Sequence, residues 1–169
     1  MNIAIVGATG NVGRKTLEVL EKKELPIDNL YLLASSKSVG TKISFKGEEH
    51  KVSDLKNFDF SKVKITFFAA GGKISEEFAG KAAKHSIVID NSSYYRMDPD
   101  VPLIVPQVNA DHLNNINKNI IANPNCSTAQ LVIVLKPLHD LFSIKRIVVS
   151  TYQSVSGGGK APMDELIEQ

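Results

Sequence analysis

The chain has 169 residues, 43% hydrophobic and 22% charged, an ordinary globular composition that excludes collagenous, low-complexity and disordered proteins. Twenty basic against eighteen acidic residues leave a net charge of +2, which predicts no nucleic-acid partner and no anionic membrane surface. No apolar run is long enough to span a bilayer, and the first residues do not have the pattern of a signal peptide. The single cysteine excludes an internal disulfide, so the cytoplasm is the expected compartment.

Short apolar runs alternate with helical stretches along the chain. The apolar runs predict strands over 3–6, 30–34, 65–70, 87–90, 120–122 and 144–153, and a hairpin that pairs 42–45 with 50–52. Helices are predicted over 11–23, after Ser75 as a capping residue, from Cys126 to about 138, and from 161. The first helix is predicted to turn Val12, Thr16, Val19 and Leu20 to one side. The alternation predicts an α/β fold, a Rossmann-like doubly wound parallel sheet covered on both faces.

The first predicted strand leads into Gly7-Ala8-Thr9-Gly10-Asn11-Val12-Gly13, which opens the first helix. A glycine-rich turn in this position is typical of dinucleotide binding, because the free N–H groups of a helix N-terminus bind pyrophosphate. Gly7 is predicted to form the tight turn, Gly10 to admit the pyrophosphate, and Gly13 to let the helix pack closely on the strand. Thr9, Asn11 and Val12 complete the predicted cofactor turn.

The turn after the second strand bears on the choice between NAD and NADP. A NAD site usually has an acidic residue there for the ribose hydroxyls, whereas this chain has Ala34-Ser35-Ser36-Lys37-Ser38. An ammonium and hydroxyls suit a phosphate, so Lys37 and Ser38 are predicted to bind the 2′-phosphate of NADP. The alternative is an ordinary solvated polar turn.

Cys126 lies at the predicted start of a helix, directly after Asn123-Pro124-Asn125. The positive end of the helix dipole favours a thiolate, and Asn125 offers amide donors near an oxyanion formed by attack of that thiolate. This position favours a nucleophile over the alternative of a packed cysteine.

Five collinear blocks together resemble the aspartate-β-semialdehyde dehydrogenase family. They are the glycine turn, Val88-Ile89-Asp90-Asn91-Ser92-Ser93, Arg96-Met97-Asp98-Pro99-Asp100-Val101-Pro102-Leu103, Asn123-Pro124-Asn125-Cys126-Ser127-Thr128, and Ser150-Thr151-Tyr152-Gln153-Ser154-Val155-Ser156-Gly157. The related N-acetyl-γ-glutamyl-phosphate reductases have a similar opening but usually Gly-Cys instead of Asn125-Cys126. Ala69 and Gln107 stand where many members of the dehydrogenase family have serine and glutamate.

The resemblance implies a role for several residues. Cys126 would carry the acyl group as a thioester, Arg96 would bind the phosphate of β-aspartyl phosphate or free phosphate, and Gln153 would orient the substrate. Ser156 and Gly157 would contact NADP on its nicotinamide side. The implied reaction is reversible, NADPH-dependent reductive dephosphorylation to aspartate semialdehyde, in the biosynthesis of lysine, threonine, methionine and diaminopimelate.

The resemblance also implies a division of the chain. Residues 1–122 would form the NADP-binding domain, and residues 123–169 would begin an α+β catalytic and dimerisation domain of a homodimer. Family members are about twice as long, and none of the histidines here, His50, His85, His112 and His139, matches a catalytic position of the family. We therefore expect an amino-terminal portion of such an enzyme, inactive by itself. No spacing of cysteines and histidines suggests a metal site. The acetylglutamyl-phosphate reductase and a non-catalytic NADP-binding module remain the alternatives.

Overall fold

The computed structural model describes residues 1–169 as a parallel sheet, a small hairpin and five α-helices. The strands are β1 (Asn2–Val6), β2 (Asn29–Ala34), β3 (Lys42–Phe45), β4 (Glu48–Lys51), β5 (Ser53–Asp54), β6 (Ile65–Phe68), β7 (Ile87–Asp90) and β8 (Ile120–Ala122). The helices are α1 (Asn11–Lys22), α2 (Gly72–Ala82), α3 (Pro106–Asn109), α4 (Cys126–Phe142) and α5 (Lys160–Glu168). Most predicted elements are therefore confirmed, with ends that differ by a few residues.

Six parallel strands form the main sheet in the order β5-β2-β1-β6-β7-β8, and β3 pairs with β4 in an antiparallel hairpin. The central strand β1 pairs with β2 on one side and with β6 on the other. The strand order therefore reverses direction between β1 and β6. Ligands of open α/β sheets bind in the crevice at such a reversal, outside the carboxyl ends of the strands.

Each face of the sheet has its own buried core. Ala4, Val6 and Phe68 pack with Phe78 and Ala82 of α2. The opposite face packs Ile5 and Leu32 with Leu17 and Leu20 of α1, a cluster that extends to Ile43 and Phe45 of the hairpin. Helices on both faces explain why the strands are apolar in sequence, and they confirm the predicted doubly wound architecture.

The prediction that Ser75 caps a helix is wrong. Ser75 does not cap α2: the helix begins three residues earlier, after Gly71 at φ 85°, and Ser75 is buried inside it. The tertiary partner Asp90, which accepts a hydrogen bond from Ser75, overrides the local capping preference.

The prediction that Val12, Thr16, Val19 and Leu20 lie on one side of α1 is confirmed, because all four line one groove. Of the four only Leu20 is buried, together with Leu17, while Val12 and Val19 remain 47% and 45% exposed.

Segment 144–153 is not the strand that its apolar run predicts. Residues 144–153 make no hydrogen bond between main-chain groups, and Val148 and Tyr152 are exposed. A strand requires a neighbour to pair with, and no other strand of the chain lies beside this run. The preceding α4 has no buried residue, and Leu141 and Phe142 are about three-quarters exposed at its end.

None of the helices combines the length and the hydropathy that a membrane crossing requires.

Candidate functional site

The candidate site lies at the carboxyl edge of the sheet, where five parallel strands end side by side. The turns that follow β1, β2, β6, β7 and β8 begin at Gly7, Ser35, Ala69, Asn91 and Asn123, respectively. The turn after β1 is tied to the neighbouring strand, because the N–H groups of Gly7 and Ala8 both donate to the carbonyl of Leu33. This edge brings residues far apart in sequence into one region.

The glycine turn leaves no room for side chains at two of its positions. A Cβ on Gly7, which has φ 83°, would lie 2.7 Å from the carbonyl oxygen of Ala69. A Cβ on Gly13 would lie 2.2 Å from the carbonyl oxygen of Gly7, so the helix packs directly on the turn, as predicted. Gly10 precedes α1 as its N-cap, and the N–H groups of the first helical turn have no acceptor within the helix.

A cavity of about 660 Å³ opens beside this turn. The sequence-predicted residues that line it are Thr9, Gly10, Asn11, Val12, Arg96, Asn125, Ser156 and Gly157. The cavity also has walls from residues 69–72 after β6 and 91–93 after β7, and from 158–160 near the end of the chain. The structure thus joins the glycine turn, the candidate phosphate-binding arginine and the second glycine-rich segment around one space.

Arg96 is held by main-chain oxygen atoms. Its Nε donates to the carbonyl of Asn123 at 2.8 Å, and its Nη2 donates to the carbonyl of Asn91 at 3.1 Å. A guanidinium has five N–H donors, so the donors left over remain able to bind an anion in the cavity that Arg96 lines.

The loop that carries Arg96 is anchored on both sides of the arginine. At its start, the buried carboxylate of Asp90 accepts hydrogen bonds from the hydroxyl of Ser75 at 2.8 Å and from the N–H and hydroxyl of Ser92 at 2.9 and 2.8 Å. Farther along, Asp98 pairs with the ammonium of Lys118 at 2.9 Å. The hydrogen bond with Lys118 lowers the pKa of Asp98 and raises the pKa of Lys118 from their ordinary values.

Cys126 is the first residue of α4 and is an exposed free thiol. Asn125 caps the helix, since its Oδ1 accepts from the N–H of Ser127 at 3.0 Å and is also bonded to the Ser127 hydroxyl. Asn125 lines the cavity and Cys126 is the next residue along the chain. The helix-start geometry predicted for the thiol is therefore present, and the thiol is accessible to a substrate.

Six predicted residues do not line the cavity. Gly7 and Gly13 are packed against main chain inside the turn, and Cys126 lies next to the lining residue Asn125 without lining the cavity itself. The other three are Lys37, Ser38 and Gln153. Lys37 and Ser38 lie in a short 3₁₀ turn directly after β2, next to the strand that leads into the glycine turn. Gln153 lies in the unpaired segment, where its side-chain amide donates to the hydroxyl of Thr151 at 3.2 Å. The structure therefore brings Arg96 and Asn125 to the glycine turn but leaves Gln153 apart from them.

Several site residues were missed in the sequence. Gly71 and Gly72 line the cavity after β6, Ser92 and Ser93 after β7, and Lys160 at the start of α5. The first four directly follow predicted strands, so the rule that parallel strands end at a common edge could have found them. No local signal identifies Lys160. The structure contains no cluster of three or more residues able to hold a metal ion.

Two family models match the chain. The model described as "Semialdehyde dehydrogenase, NAD binding domain" matches residues 2–116, and "Semialdehyde dehydrogenase, dimerisation domain" matches residues 135–169. The chain belongs to the semialdehyde dehydrogenase family. Within this family, the resemblance to aspartate-semialdehyde dehydrogenases is confirmed by relatives about half identical to the chain. The aspartate-semialdehyde dehydrogenase 2 of Vibrio cholerae is 51% identical over 170 residues, and the enzyme of Aquifex aeolicus is 53% identical.

Solved structures of the family agree with the fold. The aspartate semialdehyde dehydrogenase II of Vibrio cholerae complexed with ASA matches 99% of the chain with a TM-score of 0.96 and 50% identity. The Candida albicans enzyme with NADP matches 85% of the chain with a TM-score of 0.69 and 29% identity. The alignments with the Vibrio cholerae and Aquifex aeolicus enzymes each include 99% of this chain. The chain spans about half the length of those two relatives.

Proposed function

We propose that the chain supplies the NADP-binding domain and the nucleophile of an aspartate-semialdehyde dehydrogenase. The reaction is the reversible reductive dephosphorylation of β-aspartyl phosphate to aspartate semialdehyde and phosphate. The observation that carries this proposal is the shared cavity: the glycine turn, Arg96 and Asn125 line one space, and Cys126 directly follows Asn125. The fold alone would not carry it, since dinucleotide folds serve many reactions.

The residues present fit NADP. Gly7 and Gly13 make the close approaches of a dinucleotide turn, and the N–H groups at the start of α1 favour a pyrophosphate. Lys37 and Ser38 follow β2, the strand bonded to that turn, so their charge and hydroxyl suit a 2′-phosphate there. Ser156 and Gly157 line the same cavity, and we assign them to the nicotinamide side of the cofactor. When bound, NADPH would supply hydride.

The chain's own residues perform the acyl transfer. The Cys126 thiolate attacks the acyl carbon of β-aspartyl phosphate, a sulfur–carbon bond forms, and the carbon–oxygen bond to phosphate breaks. Arg96 neutralises the departing phosphate with the N–H groups that its main-chain anchors leave free. The helix dipole of α4 favours the thiolate at Cys126, and Asn125 lies beside it as the candidate donor to the oxyanion. We assign Gln153 to substrate orientation, which requires segment 144–153 to pack against the site.

Further proposals concern the setting of the reaction. We propose that the boundary at residue 122 separates the cofactor domain from a catalytic and dimerisation domain, and that the active protein is a homodimer. The exposed apolar side chains of α4 and of segment 144–153 support such an interface. An exposed thiol nucleophile favours the reducing cytoplasm. The pathway is amino-acid biosynthesis, leading to lysine, threonine, methionine and diaminopimelate.

Product analysis tests the proposal. The protein at its full encoded length is incubated with NADPH and either β-aspartyl phosphate or N-acetyl-γ-glutamyl phosphate, and the aldehyde product and released phosphate are measured. We expect oxidation of NADPH with the aspartyl compound, and loss of this turnover in Cys126→Ser with NADP binding retained. Preference for the acetylglutamyl compound, or undiminished turnover by Cys126→Ser, would refute the assignment.

A further inference from the structure

A side-chain hydrogen bond between two asparagines joins the carboxyl ends of β7 and β8. The Nδ2 of Asn123 donates to the Oδ1 of Asn91 at 2.6 Å, and the Nδ2 of Asn91 donates to the carbonyl of Phe68 at 3.2 Å. Both asparagines directly follow their strands and are half-buried. The two amides therefore link the ends of β6, β7 and β8 in one chain of hydrogen bonds.

The same two residues hold Arg96 through their main-chain carbonyls, at 2.8 Å from Asn123 and 3.1 Å from Asn91. The distance between these two carbonyl oxygens determines the angle of the guanidinium plane. The side-chain bond between Asn123 and Asn91 restrains that distance, because it joins the two residues directly across the strand gap. It adds to the main-chain hydrogen bond in which the N–H of Asn123 donates to the carbonyl of Asp90 at 2.8 Å. A bidentate donor loses much of its advantage when its plane is free to rotate.

Asn123 acts from outside the cavity. It borders a neighbouring apolar groove beside Val12 and Val19 of α1, whereas Arg96 lines the cavity at the glycine turn, and Asn91 borders both spaces. Asn123 therefore does not line the space that would hold a phosphate, and its effect on the phosphate is expected to pass through Arg96.

We infer that Asn123 is a positioning residue for phosphate recognition, holding Arg96 at the angle that binds the phosphate of the acyl phosphate. The inference rests on the proposed function for the identity of the anion. Phosphate binding alone tests the geometry, because inorganic phosphate presents the same oxygen atoms to a guanidinium.

A double-mutant cycle with inorganic phosphate as the probe separates this role from a general structural one. The dissociation constant for phosphate is measured by calorimetry for the natural protein at its full encoded length, Asn123→Ala, Arg96→Ala and the double variant. We expect Asn123→Ala to weaken phosphate binding about tenfold, or about 1.4 kcal/mol, and to have no further effect once Arg96 is absent. The affinity for NADP should not change.

The chain offers a matched control. Asn29 donates to the side chain of Asn2 at 3.0 Å, a second asparagine pair at the opposite edge of the sheet. Asn29→Ala removes a hydrogen bond between the same two kinds of side chain, at an exposed position, and should leave phosphate affinity unchanged. If Asn123→Ala does not fold by circular dichroism, Asn123→Ser, which keeps a small polar side chain, replaces it in the cycle.

Three results would overturn the inference: unchanged phosphate affinity in the Asn123 variant, an equal loss in the Arg96→Ala background, or no phosphate binding by the natural protein. Different results would refute the inference about Asn123 and the proposed function. Phosphate binding that obeys the cycle in a protein that does not oxidise NADPH with β-aspartyl phosphate would retain the inference and refute the function.

Discussion

Gly10 and Gly13 lie three residues apart in the same turn, yet the structure predicts different consequences for alanine at these positions. A Cβ on Gly13 would lie 2.2 Å from the carbonyl oxygen of Gly7, about 1.2 Å short of the 3.4 Å at which ordinary contact begins. The Cβ is attached rigidly to the main chain of α1 and the atom that it meets is a main-chain oxygen, so α1 must move away from the turn. A Cβ on Gly10 would lie 3.4 Å from the same oxygen, within ordinary contact, and the residue has φ −79°.

The magnitudes follow from these distances. Overpacking of a well-packed interior costs about 1–3 kcal/mol and occasionally more, and a clash of main chain with Cβ belongs at the upper end. Gly13→Ala should therefore lower the free energy of unfolding by about 3 kcal/mol. At Gly10, the lower entropy of the unfolded chain with alanine favours folding, while alanine is a poorer N-cap than glycine. These effects oppose each other, so Gly10→Ala should change stability by less than about 1 kcal/mol.

Cofactor affinity should separate the two variants further. Gly10 lines the cavity, so a methyl group there occupies space next to the candidate pyrophosphate site. We expect Gly10→Ala to weaken NADP binding at least about tenfold, or about 1.4 kcal/mol, in a protein of near-normal stability. Urea unfolding followed by circular dichroism measures the free energy of unfolding, and calorimetry with NADP measures the affinity for the cofactor. A Gly13→Ala protein as stable as the natural one would refute the close packing, and unchanged NADP affinity in Gly10→Ala would refute the cofactor site.

Three further outcomes are expected. Asp90→Ala should lower the free energy of unfolding in urea by at least about 2 kcal/mol, because it leaves two buried serine hydroxyls without their acceptor; a loss below about 0.5 kcal/mol would contradict this. Lys37→Ala should weaken binding of NADP about ten- to a hundredfold in calorimetry and leave NAD unaffected, and an equal effect on both cofactors would remove the 2′-phosphate assignment. The pairing with Lys118 lowers the pKa of Asp98 in the folded state below its ordinary value of 3.8. The pair therefore stabilises the fold fully at pH values above 3.8, and this contribution is lost as the pH falls through the lowered pKa. In Lys118→Met the loss of stability between neutral and acidic pH should be smaller than in the natural protein, because the pair is already absent. An acid unfolding transition with the same pH dependence in both proteins would contradict this expectation.

Most of the α/β architecture could be predicted because its signals are local. The buried strands are continuous apolar runs, and the glycine turn marks the junction of β1 and α1, so both were found within one or two residues. The strand order could not be predicted in the same way, because it depends on which runs lie beside one another after folding. The same limit explains segment 144–153, whose apolar pattern indicates a strand although the chain provides no neighbour for it.

In the candidate site, too, local patterns could be predicted and contacts between distant residues could not. The glycine spacing and the helix-start cysteine are local patterns, and the family resemblance added Arg96. The contacts that organise Arg96 join residues 27 and 5 positions apart, and the bond between Asn91 and Asn123 spans 32 positions. Ser75 shows how such contacts override local preference: serine followed by two glutamates is typical of a helix start, yet its hydroxyl is buried against Asp90.

Trapping the acyl group on Cys126 tests the central claim most directly. The protein at its full encoded length is mixed with β-aspartyl phosphate without NADPH, quenched in acid, and its intact mass and the released phosphate are measured. We expect one aspartyl group per chain, located on the peptide that contains Cys126, one equivalent of phosphate, and neither product with Cys126→Ser. Phosphate release without a covalent adduct, or an adduct that persists in Cys126→Ser, would contradict the assignment of Cys126 as the nucleophile.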